Sequence, residues 1–347
     1  MEHKRALLGK TLAGLEQVAA ELSMPGFAAR QLAGWLYRRR VADIGGMSNL
    51  SAAHRAMLAE RYDVGVRPFS AAQESKDGAQ KYLFAVGGEK RAYVESVLIP
   101  EAGRATLCLS SQAGCPMGCK FCMTARMGFR HNLTSGEIIN QIFGVPRSGQ
   151  LTNLVFMGMG EPMSNIDSLL ESLEVITAPW GMGWSPARVT VSTVGVLPAL
   201  RRFLDESRCH LAVSLHSPFA DERRALMPVQ KAFPAEDVVA LIRRYRWTGQ
   251  RRVSFEYILF DGLNDTPRHA AALARLLGGF ECRVNLIRFH RIPGSELRGS
   301  PPQAMERFKE MLLQRGLLTT IRASRGEDIL AACGMLSAGA ELPGGAS

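Results

Sequence analysis

The sequence predicts an α/β protein built as a partial (β/α)6 barrel, with a small helical domain in front of it. Three observations carry that expectation. From residue 105 onward, short runs rich in β-branched and apolar residues alternate with helical stretches, whereas residues 1 to 67 carry helical periodicity. The composition, 46% hydrophobic and 21% charged over 347 residues, suits a globular chain of about two domains with a sizeable core, and excludes a disordered or collagen-like one.

In chain order, LLGKTLAGLEQVAAEL is periodic, Pro25 and Gly26 break it, and FAARQLAGWLYRRR resumes the period. Asn49-Leu50-Ser51 then gives the cap signal of a third helix. QKYLFAV (80–86) and AYVESVLI (92–99) read as a hairpin. The runs ATLCLSS, NLVFMGM, RVTVSTV, HLAVSLH, RVSFEYILF, CRVNLIRF and TTIRAS follow. Repeated β then α implies a parallel sheet with crossover helices, and about six such units make a barrel or an incomplete one, with its active site at the strand C-termini. The expected organisation is a helical domain over 1–67, a β-hairpin linker over 68–104, the barrel with a C-terminal Cys segment over 105–337, and a Gly-rich flexible tail over 338–347.

Lys and Arg number 42 against 32 Asp and Glu, a formal charge of +10, which points to a polyanionic partner. The excess gathers at Arg38, Arg39 and Arg40, at Arg104, Lys120, Arg126 and Arg130 with no acid between 102 and 130, and over 283–325. No uncharged apolar run approaches the roughly 18 to 20 residues of a membrane span, and Lys10 and Glu16 interrupt the N-terminal apolar residues where a signal peptide would be continuous. The expected location is therefore cytoplasmic, with no membrane partner.

Seven cysteines, an odd number, argue against a secreted disulfide framework. Three of them stand together as Cys115-Pro-Met-Gly-Cys119-Lys-Phe-Cys122, directly after a strand. Zinc usually takes four ligands in paired units, and ferredoxin runs supply four thiolates per cluster. Three thiolates on a cubane leave one iron open to chelate the amino and carboxylate groups of S-adenosylmethionine. Elsewhere, Gly158 and Gly160 in GMGEP let the backbone approach a ligand, and Glu161 offers a carboxylate to an ammonium. Cys108 and Cys333, taken bare, fit packed small apolar residues, and Glu95 in YVESVLI has the alternation of a strand carboxylate facing solvent.

These motifs together resemble the radical S-adenosylmethionine superfamily and, within it, the RlmN/Cfr family of RNA adenine methyltransferases. MPGFAARQLAGWLYRR, YVESVLIPEAGRATLCLSSQAGCPMGCKFC, FMGMGEP, VSTVG, LAVSLHSP, EYILFDGLND, VNLIRF and RGEDILAACG stand in family order through most of the chain. The resemblance implies a radical SAM barrel, a [4Fe-4S] cluster on Cys115, Cys119 and Cys122, and two S-adenosylmethionine molecules per turnover. It assigns cofactor contacts to Gly160, Glu161, Ser192, Ser214, Leu215, His216 and His290, the last standing where many members have Asn. It makes Cys333 the thiol that accepts a methyl group, Cys108 the thiol that later attacks it to leave a transient disulfide, and Glu95 the general base; Cys209 and Cys282 match no role. The implied substrates are an adenosine in the peptidyl-transferase region of 23S rRNA and the adenosine 3′ of the tRNA anticodon, methylated at C2, with a flavodoxin-type electron donor and RNA docking on the helical domain. Two alternatives stay open on the sequence: C8 methylation of the same ribosomal nucleotide, and a non-catalytic RNA-binding protein with a structural metal site.

Overall fold

The computed structural model describes residues 4–88, 91–247 and 249–337. The tail expected at 338–347 lies outside the described residues.

Thr11 caps the first helix, α1 (Leu12–Glu21), by accepting from the Gly14 N–H, and Ser51 caps α3 (Ala52–Arg61) through the His54 N–H. Between them α2 (Ala28–Ala33) runs into a π-helical turn over Gly34–Arg38, closed by the Arg39 N–H on the Gly34 carbonyl. A single helix was expected there. The wider turn re-aims the arginines that follow: Arg39 stacks on Trp35 at 4.3 Å, Arg40 reaches Ser148 Oγ and covers Phe143, and Arg38 donates to the Pro179 carbonyl. Two of the three clustered arginines thus fasten the helical region to the barrel. Leu7, Leu15, Leu32, Leu36 and Leu58 are buried in its core.

Ten strands form one sheet in strictly sequential order. They are β1 (Ala71–Glu74), β2 (Gln80–Val86), β3 (Ala92–Glu101), β4 (Arg104–Cys108), β5 (Asn153–Phe156), β6 (Val189–Thr193), β7 (His210–Ser214), β8 (Val253–Leu259), β9 (Arg283–Arg288) and β10 (Leu318–Ile321). From β4 to β10 every pairing is parallel, giving seven strands and six crossovers. The crossovers carry α4 (Ser135–Phe143), α5 (Ile166–Thr177), α6 (Leu197–Glu206), α7 (Ala220–Leu226), α8 (Ala235–Ile242), α9 (Pro267–Leu277) and α10 (Pro302–Leu313). Thr134 and Glu137 close a capping box on α4, and Pro occupies the first turn of α6, α9 and α10, where its missing N–H costs nothing.

The hairpin read as a linker is part of this sheet. β3 pairs antiparallel with β4, Val97 opposite Cys108, so β1 to β3 extend the barrel's edge. The strand face turned to the crossover helices is buried, Leu154, Val191, Leu211, Phe255 and Leu286 being at most 1% exposed, while the opposite face carries the cavity-lining Val155, Ser192, Ser214, Glu256 and Ile287.

Candidate active site

The C-terminal ends of β4 to β9 and the segment after β10 enclose one cavity of ≈ 400 Å³. The size and the mixture of apolar wall with convergent polar groups are those of a cofactor site. Cys108, Cys115, Cys119, Cys122, Gly160, Glu161, Ser192, Ser214, His216, His290 and Cys333 all line it. Leu215 and Glu95 are not among its lining residues.

The Cys loop is closed at its base by a short antiparallel pair, Gln112–Gly114 with Phe129–Asn132. Gly114 has φ +73, and a Cβ there would meet the Gly128 carbonyl oxygen at 1.8 Å, so the pair closes only with glycine. Burial pushes the Cys115 thiol up to about 12 and raises Cys119 and Cys122 as well. Thiols so desolvated ionise only beside a cation.

Glu161 is 3% exposed. Its Oε1 accepts from Thr193 Oγ1 at 2.6 Å and the Met163 N–H at 3.0 Å, and Oε2 accepts from the Val194 N–H at 2.9 Å. Burial nevertheless holds its carboxyl up to about 7. The turn before it is tight: Gly160 has φ +99 and its missing Cβ would sit 2.5 Å from Gln112 Cβ. His216 has φ +60 and is buried, which lowers it to about 3 and keeps it neutral. The Ile258 N–H donates to its Nδ1 at 3.0 Å, so Nε2 carries the proton. His290 lines the cavity, with Nε2 2.8 Å from Ser324 Oγ and Nδ1 3.2 Å from Glu327 Oε1, the latter at ion-pair distance without hydrogen-bond geometry. Both ring nitrogens therefore face protein groups. The Leu215 side chain is buried away from the cavity, and its backbone N–H and carbonyl bond Glu256 and Arg223.

Cys333 keeps accessible surface, but protein atoms crowd its thiol; burial raises it, with Arg322 opposing and Glu256 adding to the shift. Cys108 feels the same Cys333 and Arg322, and burial pushes it up to about 12. The Cys333 segment is latched at both ends. Asp77 accepts from the Gly326 N–H at 2.9 Å and Asp328 accepts from Ser75 Oγ and the Lys76 N–H. On the other side the Met123 N–H donates to the Gly334 carbonyl at 2.8 Å, Thr124 Oγ1 to the Leu336 carbonyl at 2.7 Å, and the Ser337 N–H to Glu95 Oε2 at 2.9 Å. Glu95 is consequently buried, not facing solvent as its alternation alone predicts, and Lys81 Nζ lies 3.1 Å from its Oε1. It shares one face of β3 with the cavity-lining Val97 and Ile99.

A family model for the radical SAM superfamily matches residues 109–274, and one for the ribosomal RNA large subunit methyltransferase N-terminal domain matches 6–73. A Porphyromonas gingivalis protein named as a probable dual-specificity RNA methyltransferase RlmN is 59% identical over 336 residues, spanning 97% of this chain and 95% of its own. The chain belongs to the RlmN family of the radical SAM superfamily. A dual-specificity RNA methyltransferase RlmN of Syntrophobacter fumaroxidans is 42% identical over 332 residues, covering 94% of this chain and 96% of that protein. The solved structure of a radical SAM methyltransferase from Sphaerobacter thermophilus superposes with a TM-score of 0.89 at 38% identity, over 96% of this chain and 100% of that one.

Membership of the RlmN family brings a [4Fe-4S] cluster and S-adenosylmethionine. The residues fit that cluster. Among the described residues no three His, Cys, Asp or Glu side chains converge closely enough to share a single metal ion. A cubane asks for something else, one thiolate per iron around a buried cavity, and Cys115, Cys119 and Cys122 line such a cavity. Among the described residues no helix is long and apolar enough to cross a membrane.

Three polar wall residues of this RlmN-family chain escape a reading by motif. Thr193 holds Glu161. Glu256 sits inside an apolar strand with Oε1 fixed by Ser254 Oγ and Asn285 Nδ2, each at 2.8 Å. Arg322 lines the cavity beyond β10. The signal for Glu256 is present in SFEYI, one acid at alternate spacing from Ser254, and nothing in the run says that this face looks inward.

Proposed function

We propose that this chain is an RNA methyltransferase that places a methyl group on C2 of an adenine, in 23S rRNA and in tRNA, by way of a methylated Cys333. The observation that supports the reading is one cavity lined by the cysteine triad, the GMGEP turn, Cys108 and Cys333. When bound, the cluster on Cys115, Cys119 and Cys122 and S-adenosylmethionine supply methyl groups and one-electron chemistry. Gly160, Glu161, Ser192, Ser214, His216 and His290, with the Leu215 backbone, shape the cofactor wall. Neutral His216 offers a hydrogen bond without charge, and the Glu161 carboxylate attracts cationic groups.

Cys333 accepts the methyl group as a thiolate, which the Arg322 guanidinium favours against burial. Glu95 takes the ring proton of the RNA adduct; the Cys108 thiolate then attacks Cys333 Sγ, the Sγ–CH2 bond breaks with its electron pair going to the carbon, which takes up a proton to become the methyl group of the released RNA, and the two sulfurs are left as a disulfide. Arg104, Arg322 and Arg325 at the cavity receive the RNA strand, whose target base must leave its stack to enter. The region over 1–67 docks RNA, the C-terminal segment to 337 carries the catalytic thiol, the electron donor is of flavodoxin type, and the enzyme works in the cytoplasm.

The test is anaerobic reconstitution followed by turnover on 23S rRNA fragments and tRNA, with nucleosides and 5′-deoxyadenosine read together by mass spectrometry. 2-Methyladenosine is expected from both RNAs. 8-Methyladenosine would move the activity to the other branch of the chemistry, and the absence of deoxyadenosine from a cluster-loaded enzyme would end the radical reading.

A further inference from the structure

Arg223, on α7 just past the Ser214-Leu215-His216 turn, is 1% exposed. Its Nε donates to the Leu215 carbonyl at 3.1 Å. Nη1 donates to Gln230 Oε1 at 2.6 Å and the Phe233 carbonyl at 3.5 Å, and Nη2 to the carbonyls of Val194 at 2.9 Å and Ser214 at 3.2 Å. Every acceptor is a neutral oxygen. Among the described residues no carboxylate forms an ion pair with it within 4.0 Å. Glu161 is held off by the Val194 peptide, which gives its N–H to the acid and its carbonyl to the arginine. Glu236 is exposed on α8 and contributes less to its field than Cys119 does. Burial lowers the guanidinium to about 10, which still leaves it charged at neutral pH. A buried charge without a counter-charge is costly, and folded proteins normally pair it.

The anion it lacks has a place beside α7. The Lys120 N–H donates to the Leu226 carbonyl at 3.0 Å, docking α7 on the Cys loop, and Cys119 packs in one cluster with Leu226 and Met227. A cubane core on three thiolates is a net anion in its oxidised state and gains one further negative charge on reduction. We propose that Arg223 is the built-in counter-charge of the cluster, a positioning residue that raises its reduction potential while tying the ends of β6 and β7 together. This rests on the triad holding a [4Fe-4S] cluster.

The experiment is EPR-monitored potentiometry on the anaerobically reconstituted full-length protein, with iron and sulfide counted on each sample. One nearby charge acting through an effective dielectric near 20 moves the reduced-to-oxidised ratio at fixed potential by on the order of tenfold. For a one-electron couple that is about 59 mV toward more negative values. Arg223→Met should show this loss. Gln230→Glu should show it too, since an isosteric carboxylate on Nη1 neutralises the guanidinium with the hydrogen bonds in place. Arg223→Lys and Gln230→Leu disturb the hydrogen bonds but keep the charge, and should leave the midpoint within about a third of that shift. Equal shifts in all four variants, or none in Gln230→Glu, would reduce Arg223 to a structural tie and overturn the proposal. A wild type without a cubane signal would instead remove the cluster reading itself.

Discussion

Gly160 offers a sharp test of how the GMGEP turn is built. Replacing it with Ala puts a Cβ 2.5 Å from Gln112 Cβ and 2.7 Å from the Gln112 nitrogen, at φ +99. The unfavourable backbone costs about 1–2 kcal/mol and overpacking a further 1–3, about 2–5 kcal/mol in all. Gln112 cannot step aside freely: its N–H bonds the Met159 carbonyl, its Oε1 accepts from the Glu161 N–H at 2.8 Å, and its Nε2 donates to Asn132. For a chain of this length each kcal/mol moves the melting temperature by roughly 1.4 °C, so Gly160→Ala should melt about 3–7 °C lower. Gly149→Ala, where a Cβ meets nothing within 4 Å, is the control and should change stability by less than about 0.5 kcal/mol. Calorimetry of both variants, with equilibrium S-adenosylmethionine binding alongside, reads the result. A Gly160→Ala protein that melts and binds like the control would mean that the turn tolerates a side chain and that close packing does not set the position of Glu161.

Three further expectations concern single side chains. Because burial raises Glu161 from 4.5 to about 7, the stability of its protonated form is fully present below 4.5 and is lost as pH rises through 7. Relative to Glu161→Gln, which cannot ionise, the cluster-free wild type should lose up to about 3 kcal/mol between pH 4.5 and 8 in urea unfolding; parallel pH curves would refute the shift. Cys108→Ala should stall with enzyme covalently attached to RNA, an upshifted gel band removed by ribonuclease, and clean turnover would reassign the resolving step. His290→Asn shortens the side chain that meets Ser324 and Glu327, and at about 1 kcal/mol per lost hydrogen bond amide exchange over 324–330 should rise roughly fivefold. Unchanged protection would show that the imidazole does not hold that segment.

The barrel was legible because the strand face under the crossover helices must be apolar, and runs such as NLVF and RVTVST, with Val189 and Val191 on that face, carry that requirement openly. The cavity lining was legible where chemistry demands a residue type in a fixed local frame, as in the Cys loop and the GMGEP turn. What the sequence hides is contact between distant segments. The π turn at Gly34–Arg38 leaves no periodic trace, and its consequence, Arg38 and Arg40 spent on the barrel, cannot be told from an open basic patch. Glu95 follows the alternation of a surface strand, yet Lys81 and the Ser337 backbone enclose it. Leu215 sits between two residues that face the cavity and contributes only its backbone.

The latch on the Cys333 segment has a consequence for biosynthesis. Gly334 and Leu336 are bonded to the short helix that follows the Cys loop, and Asp328 to the turn between β1 and β2, so a stretch synthesised after all the other walls of the chamber is the one that seals it. Until that stretch arrives the thiols of the loop stand beside an open breach. A chain truncated ahead of residue 326 would keep Cys115, Cys119 and Cys122 and still leave them to oxygen and solvent, so the shielding of these thiols and the arrival of Cys333 come as a single event.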